Sequence, residues 1–342
     1  MKRLPVALVL CLVSGIGAQA QTPFYQGKTI TIVVGTKAGD VYDLYPRLLV
    51  DYLTKYIPGN PNFIIQNVAG AASMIAANQV YSVAKPDGLT LAAIFPALYF
   101  DQLLKRSEVQ FDWPKFNWIG STVTSNNLLY MRADTPYKSM EDIRKASEPP
   151  KCGATGTSST AYYMPKLFEE ALGTKFNIVL GYQAGQDIDL AVERGEVQCR
   201  AFTITAFFAR EPFTTWRKTG FVRVLVQSGK RRDERLKDTP TIYELMDKYK
   251  TPGAARSLAT VVLAAGDFGR PIVAPPGVPA DRIKILREAF DKAMKDPALV
   301  AEAAKRQLEL DPTTGQELET LAKEVVAQPP EVVERMKKLL GL

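Results

Sequence analysis

The sequence contains no histidine and only three cysteines. Without histidine, the chain lacks the base of the Ser-His-Asp and Cys-His catalytic sets, the H-E-x-x-H motif and any imidazole ligand for zinc. Cys152 and Cys199 stand far apart and outside any C-x-x-C pair, so neither a redox motif nor a zinc site is expected. We therefore expect no catalytic residues, no metal and no cofactor, and a protein that is not an enzyme.

The chain also lacks a concentrated run of charge. Its formal net charge is +7, but the basic residues are scattered, and the densest cluster is Lys230-Arg231-Arg232. A cluster of this size is typical of a solvated turn, so we expect no nucleic-acid partner. The mild positive excess is compatible with anionic ligands.

Long apolar runs are absent after the N-terminus. The first twenty residues have a positive start at Lys2 and Arg3, an apolar stretch and an Ala18-Gln19-Ala20 cleavage motif. These features predict a cleavable signal peptide over residues 1–20 and a periplasmic mature chain. No later stretch has the length and apolar character of a membrane span.

The remaining chain alternates short apolar runs with helical patterns, which predicts an α/β fold with mostly parallel sheets. One helical face carries Tyr45, Leu48, Leu49, Tyr52, Leu53 and Tyr56. The predicted strands are Thr29–Val34, Asn62–Gln66, Leu89–Ile94, Leu128–Arg132, Lys151–Ala154, Phe176–Gly181, Val197–Phe202, Val222–Gln227 and Thr260–Ala264.

Two α/β halves follow one another without a flexible linker, which suggests that the chain crosses between two lobes more than once. Both stretches at the expected crossings, 118–132 and 259–276, are interpreted as extended. The predicted division is therefore lobe 1 over residues 21–124 and 251–342, and lobe 2 over residues 125–250. The C-terminal part is predicted to be helical, with a helix start at Pro297 and a capping box at Thr314–Glu317.

Three loops rich in small and polar residues lie between a predicted strand and a predicted helix. They cover residues 35–42, 67–74 and 153–160. Helix N-termini present unpaired N–H groups and partial positive charge, and small residues let a ligand approach the backbone. In parallel sheets, ligands bind where strands end and helices begin. The three loops together therefore predict a clamp around a small anion.

Several motifs resemble one protein family, and they occur in the family's order over nearly the whole mature chain. Gly39, Asp43 and Arg47 fit its P-G-G-x-x-D loop and the following arginine, although Ala38 and Asp40 depart from the loop pattern. Further matches are Asn67-Val-Ala-Gly-Ala71, Lys85-Pro-Asp-Gly-Leu-Thr-Leu91, Gly181-Tyr-Gln-Ala-Gly185, Pro240-Thr-Ile-Tyr-Glu244 and Ala274-Pro-Pro-Gly-Val-Pro279. The chain resembles the Bug-type, TctC-like extracytoplasmic solute receptors of tripartite tricarboxylate transporters.

This resemblance implies a type II periplasmic-binding-protein fold, with two lobes, a hinge and a cleft. It implies a small organic carboxylate as ligand, either a di- or tricarboxylate or an aromatic carboxylate, held by backbone amides of loops from both lobes. It also implies the membrane permease subunits of a tripartite tricarboxylate transporter as partners. We expect a monomer that closes around its ligand. A receptor that reports to a signalling partner and an exported enzyme are the alternatives. Lys37 and the additional aromatic residues favour a dicarboxylate or an aromatic carboxylate.

The candidate site residues come from the loops and the strand ends. We expect Asp43 to cap a helix rather than to contact the ligand, Lys37 to face either a second carboxylate or solvent, and Arg200 to be a candidate bidentate clamp. Cys152 and Cys199 form either a disulfide between neighbouring strands or two buried thiols. The candidate ligand-binding residues are Thr36, Lys37, Ala38, Gly39, Asp40, Tyr42, Gly70, Ala71, Ser73, Phe95, Thr155, Thr157, Ser158, Ser159, Thr160, Tyr182, Arg200 and Thr203.

Overall fold

A computed structural model describes residues 22–154, 159–182 and 185–339. The strands are β1 (Thr29–Val34), β2 (Asn62–Asn67), β3 (Thr90–Ala93), β4 (Asn117–Ser121), β5 (Asn127–Arg132), β6 (Lys151–Gly153), β7 (Asn177–Val179), β8 (Cys199–Thr203), β9 (Val222–Gln227), β10 (Pro271–Ala274) and β11 (Thr313–Thr314). The helices are α1 (Val41–Tyr56), α2 (Met74–Ser82), α3 (Leu98–Leu103), α4 (Met140–Lys145), α5 (Thr160–Leu172), α6 (Gly185–Glu193), α7 (Ile204–Ala209), α8 (Phe213–Thr219), α9 (Ile242–Lys248), α10 (Gly253–Phe268), α11 (Ala280–Ala293), α12 (Pro297–Lys305), α13 (Gly315–Val326) and α14 (Pro330–Leu339).

The first sheet has the strand order β11-β4-β10-β3-β1-β2. β1 runs parallel to both β2 and β3, with Ile32 opposite Ile65 and Leu91. The loops after β1, β2 and β3 therefore leave the sheet at the same edge. β10 and β11 come from the C-terminal part of the chain and run antiparallel to their neighbours.

Both faces of the first sheet are covered. Ile30, Ile32 and Val34 of β1 belong to the apolar cluster that contains α1 and α11, whereas Val33 belongs to the cluster that contains α2. In keeping with cover on both faces, four of the six residues of β1, namely Ile30, Ile32, Val33 and Val34, are buried and apolar. This packing fixes the position of the loop that follows β1.

The second sheet has the order β7-β6-β8-β5-β9. β6 is parallel to β7 and β8, and β5 is antiparallel to β8 and β9. Cys152 of β6 lies opposite Cys199 of β8 in the register, and the two residues form a disulfide with their Cα atoms 4.5 Å apart. Adjacent parallel strands thus supply the geometry that the sequence analysis required for this pair.

The predicted α/β fold with two sheets is confirmed, with three differences. Both sheets are mixed rather than mostly parallel, because β5, β10 and β11 run antiparallel to their neighbours. The predicted strand Thr260–Ala264 is instead part of α10, so the return crossing is extended only from Pro271 onward. β4, β10 and β11 were not among the predicted strands.

The C-terminal helix signals agree with the structure. Pro297 is the first residue of α12, and Thr314 and Glu317 form a reciprocal capping box at the start of α13. The predicted lobe boundaries stay a prediction. Below, lobe 1 denotes the first sheet with its covering helices, and lobe 2 denotes the second sheet with α4–α9. Among the helices of the described ranges, none combines the length and apolar character of a membrane span.

Candidate functional site in the cleft between the two sheets

The loop after β1 is held by its own helix. Asp40, not Asp43 as expected, is the N-cap of α1, and its side chain accepts a hydrogen bond from the Tyr42 N–H at 2.9 Å. Gly39 has a positive φ of 84°, a conformation that glycine adopts at the lowest cost. The Gly39 N–H donates to Asp43 Oδ2 at 2.7 Å. This amide is therefore already satisfied, and the prediction that it faces the ligand is not supported by the hydrogen bonding.

Asp43 lies completely buried at the centre of a hydrogen-bond network. Its carboxylate accepts from Gly39 N, from Arg47 Nε at 2.8 Å and from Asn67 Nδ2 at 2.8 Å. Burial would raise the pKa of Asp43, but the hydrogen bonds from Arg47, Gly39 and Asn67 outweigh it and hold that pKa below its ordinary value. Asp43 therefore has a structural role, but that role is this buried network and not the helix cap that was expected.

Other backbone amides near β1 remain available. Within the described ranges, the N–H groups of Thr36, Lys37, Ala38 and Gly70 have no hydrogen-bond acceptor. The first two of the three predicted loops, which leave the same edge of the first sheet, therefore each carry a free donor. Free backbone donors at helix N-termini are a general means of binding anions.

Ser73 connects the second loop to its neighbours. Its side chain is buried, and Ser73 Oγ accepts from the Phe95 N–H at 3.2 Å. A Cβ at Gly35 would lie 1.7 Å from Ser73 Oγ, so only glycine allows this approach. Ser73 thus fastens the second loop to the ends of β1 and β3 rather than presenting its hydroxyl to a ligand.

A cleft of about 730 Å³ lies between the two sheets. From lobe 1 and the C-terminal helices it is lined by Gly39, Leu44, Tyr45, Arg306, Gln307 and Leu308. From lobe 2 it is lined by Ser159, Thr160, Ala161, Gly185, Ile188, Arg200, Ala201, Phe202, Thr203, Thr205, Ala206, Ala209 and Arg210. Arg270, at the junction of α10 and β10, completes the lining. Among the described residues, the lining contains four arginines and no acidic residue, so the cleft favours an anion.

Arg200, the candidate clamp, is already paired. Its Nη1 atom lies 2.6 and 2.7 Å from the two carboxylate oxygens of Asp189 and 2.9 Å from the Gly185 carbonyl oxygen. Tyr130 Oη donates to the same carboxylate at 2.8 Å. Because Asp189 and Tyr130 are both buried, this network fixes one wall of the cleft. Its charge is largely balanced by Asp189, which weakens the case for Arg200 as the ligand's own clamp.

The predicted site residues divide into groups. Those that line the cleft are Gly39, Ser159, Thr160, Arg200 and Thr203; those outside the lining are Thr36, Lys37, Ala38, Asp40, Tyr42, Gly70, Ala71, Ser73, Phe95 and Tyr182. The signal peptide and Thr155, Thr157 and Ser158 fall outside the described residues. Tyr42 and Phe95 contact each other, with ring centroids 4.4 Å apart.

Several side chains that line the cleft were not among the predicted site residues, including Tyr45, Thr205, Arg210, Arg270 and Arg306. Arg270 could have been found from its setting, because it stands between Gly269 and Pro271 directly after an apolar run that is a helix. The others lie on helices or after helices whose orientation a single sequence does not specify.

Contacts also cross between the lobes beside the cleft. The Glu309 carboxylate accepts from Thr205 Oγ1 at 2.9 Å and from Arg235 Nη2 at 3.1 Å, and both donors belong to lobe 2. Tyr45 Oη of α1 donates to the Glu309 carbonyl oxygen at 2.9 Å. Glu309 therefore joins the cleft-lining face of α1 to lobe 2. Across the part of the chain that the structure describes, no cluster of acidic or cysteine side chains could hold a metal ion.

Residues 54–338 match the family model described as "Tripartite tricarboxylate transporter family receptor", TctC. The chain belongs to this receptor family. Members of the TctC family are periplasmic solute-binding receptors.

Solved structures of TctC-type and other binding proteins share the fold. A TctC solute-binding protein from Polaromonas is 18% identical, with a TM-score of 0.73, over 92% of this chain and 99% of that one. A protein from R. palustris with adipate is 19% identical, with a TM-score of 0.59, over 92% and 97% of the two chains. MatC from Rhodopseudomonas palustris with bound malate is 20% identical, with a TM-score of 0.57, over 92% and 99%. At these identities the likeness concerns the fold.

Proposed function

We propose that the protein is a periplasmic solute receptor that binds a small organic carboxylate between its two sheets and delivers it to the permease of a tripartite tricarboxylate transporter. The observation that carries this proposal is the cleft lining, whose described residues include four arginines and no carboxylate. Membership of the TctC family supports it, as do the adipate and malate in two proteins of similar fold. The predicted signal peptide over residues 1–20 supports the periplasmic location.

The mechanism that we infer is closure of the lobes around the ligand. Lining residues come from both sides of the cleft, so a ligand that contacts both sides stabilises the closed form. Exclusion of water then strengthens each hydrogen bond to the anion. The free amides of Thr36, Lys37 and Ala38 lie outside the lining but directly precede the cleft-lining Gly39, so lobe 1 can offer them to the same ligand when the cleft closes. We propose that the receptor acts as a monomer and catalyses no reaction.

Binding is tested with a thermal-shift screen of the mature protein against mono-, di- and tricarboxylates, with the corresponding neutral amides as controls. A ligand at 100 times its dissociation constant adds roughly 2.7 kcal/mol to the free energy of unfolding, which gives a clear shift in Tm. We expect at least one acid to stabilise the protein and its amide to have no effect. Equal shifts for acid and amide, or no shift with any acid, would contradict the proposal.

Closure and transport need separate measurements. Small-angle scattering should show a smaller radius of gyration with the acid found in the screen than with a non-binding acid. Deletion of the gene should abolish cellular uptake of that acid, and a plasmid copy should restore it. Uptake that persists without the gene would contradict the transport role and leave the signalling alternative.

A further inference from the structure

The positive charge of the cleft is not evenly balanced. Arg200 forms an ion pair with the buried carboxylate of Asp189, and Arg306 forms one with Glu302, one turn earlier. Across the described ranges, Arg210 and Arg270 have no carboxylate partner. Arg210 is exposed, so water solvates its charge. Arg270 is only partly exposed, so it differs from the other three lining arginines: its charge is neither paired with a carboxylate nor fully solvated.

The guanidinium of Arg270 makes cation–π contacts with two tyrosine rings and has no anionic partner in the described ranges. Its central carbon lies 4.8 Å from the centroid of the Tyr42 ring and 5.1 Å from that of Tyr45. The Nε atom is buried and has no hydrogen-bond acceptor within the described part of the chain. Aromatic faces attract a cation without neutralising it, and a buried donor without an acceptor is costly. Since Arg270 also has no carboxylate partner in the described ranges, its guanidinium has unused capacity for an anion.

The backbone holds Arg270 at a defined place. Its N–H donates to Ser121 Oγ at 2.9 Å, and Pro271, the next residue, is paired with Ser121 in the first sheet. Gly269 has a positive φ of 58°, and a Cβ there would lie 1.7 Å from the Val123 carbonyl oxygen. The chain therefore closely approaches the end of β4 and the segment after it, and these contacts fix the position of Arg270 in the cleft lining.

We infer that Arg270 is a specificity-determining residue that binds a second anionic group of the ligand. The cleft then selects organic dianions over monoanions of the same length, because a planar guanidinium forms paired hydrogen bonds to a carboxylate and a terminal methyl group forms none. This inference rests on the proposed function. It assigns to Arg270 the contact that the sequence analysis considered for Lys37, an exposed residue outside the cleft lining.

The test compares matched ligands by titration calorimetry on the mature protein. The probes are straight-chain dicarboxylates of four to seven carbons, each paired with the monocarboxylate of equal carbon number. The variants are Arg270→Gln and Arg270→Lys, with Arg194→Gln as the control because Arg194 is exposed and lies outside the cleft lining. Circular dichroism and Tm confirm that each variant is folded.

For the best dicarboxylate, Arg270→Gln should raise Kd roughly 30-fold, within the range expected for loss of a hydrogen bond to a charged group. The matched monocarboxylate should change less than threefold. Arg270→Lys should fall between the wild type and Arg270→Gln, because the charge remains and the fork is lost. Arg194→Gln should leave the Kd of both ligands within threefold of the wild-type value.

The outcomes separate this inference from the proposed function. A wild type that binds dicarboxylates, with an Arg270→Gln variant that loses both ligand types equally or neither, would overturn the inference alone and leave Arg270 as a packing residue above Tyr42. A wild type that binds monocarboxylates more tightly than dicarboxylates would also overturn the inference and leave the proposed function intact. A wild type that binds no carboxylate would contradict the proposed function and the inference with it.

Discussion

Replacement of Asp43 by asparagine would test the account of the loop after β1. In the variant, one carbonyl oxygen can still accept from Gly39 and Arg47, but an NH₂ group then faces Asn67 Nδ2. Asn67 cannot turn its amide over, because its Nδ2 also donates to Thr36 O at 3.0 Å and its Oδ1 accepts from Arg47 Nη2 at 2.9 Å. Two donors therefore meet at a buried position, whichever way the new amide is placed.

The expected loss in the free energy of unfolding depends on how many hydrogen bonds the substitution removes and on how exposed their donors are. Hydrogen bonds to a charged group contribute roughly 1.5–3 kcal/mol each, and an unsatisfied buried donor costs roughly 1–3 kcal/mol. Arg47 has a side-chain exposure of 41%, so water replaces part of its lost interaction. We therefore expect Asp43→Asn to lower the free energy of unfolding by about 2 kcal/mol at pH 7.

The assay is urea unfolding at several pH values, with Asp51→Asn as the control. Asp51 lies on the same helix, is exposed and has no charged partner among the residues of the described ranges. Because folding lowers the pKa of Asp43, its contribution is present above the unfolded-state value of roughly 3.9 and disappears as the pH falls through the folded value. The difference between wild type and Asp43→Asn should shrink accordingly. A variant within 0.5 kcal/mol of the wild type at pH 7, the range typical of a surface change, would refute the reasoning.

Three further predictions each concern the replacement of one residue. Gly39→Ala should destabilise the fold by about 1–2 kcal/mol through the positive φ alone, since its Cβ would meet no atom within 4 Å; an unchanged urea midpoint would contradict this. Arg200→Met should cost about 3–5 kcal/mol because it leaves Asp189 buried and unpaired, whereas a loss below 1 kcal/mol would show that the pair is dispensable. The hydrogen bond from Lys55 lowers the pKa of Asp296 to about 2, so Asp296→Asn should remove part of the stability loss between about pH 4 and pH 2; identical pH profiles for variant and wild type would exclude this contribution.

Local sequence signals predicted much of the fold. β1 could be recognised from its short run of β-branched residues, and α1 from apolar residues repeated at helical spacing. The capping box at Thr314 and the helix start at Pro297 are of this kind. The helix α10 was mistaken for a strand because the run around Thr260 is apolar on all sides. It is buried on most faces, so its sequence shows neither a clear helical stripe nor alternation.

The candidate site was harder to predict because it depends on which elements meet across the cleft. Gly39 was identified from its loop, but the use of its N–H by Asp43 is a matter of three-dimensional geometry. Arg270 was missed because the mistaken strand placed the junction of α10 and β10 inside an extended crossing. Lys37 attracted attention by its position next to Gly39, yet its side chain lies outside the lining of the cleft.

The disulfide between β6 and β8 has a practical consequence for anyone who prepares the protein. It joins residues 47 positions apart and so encloses α5, β7 and α6 in one covalent ring. By the chain-entropy relation, such a ring destabilises the unfolded chain by about 4 kcal/mol, a large share of the stability of an ordinary domain. Material made in a reducing cytosol, or stored with a thiol reagent, is therefore a different thermodynamic species, and its melting temperature and ligand affinity describe that species rather than the oxidised protein.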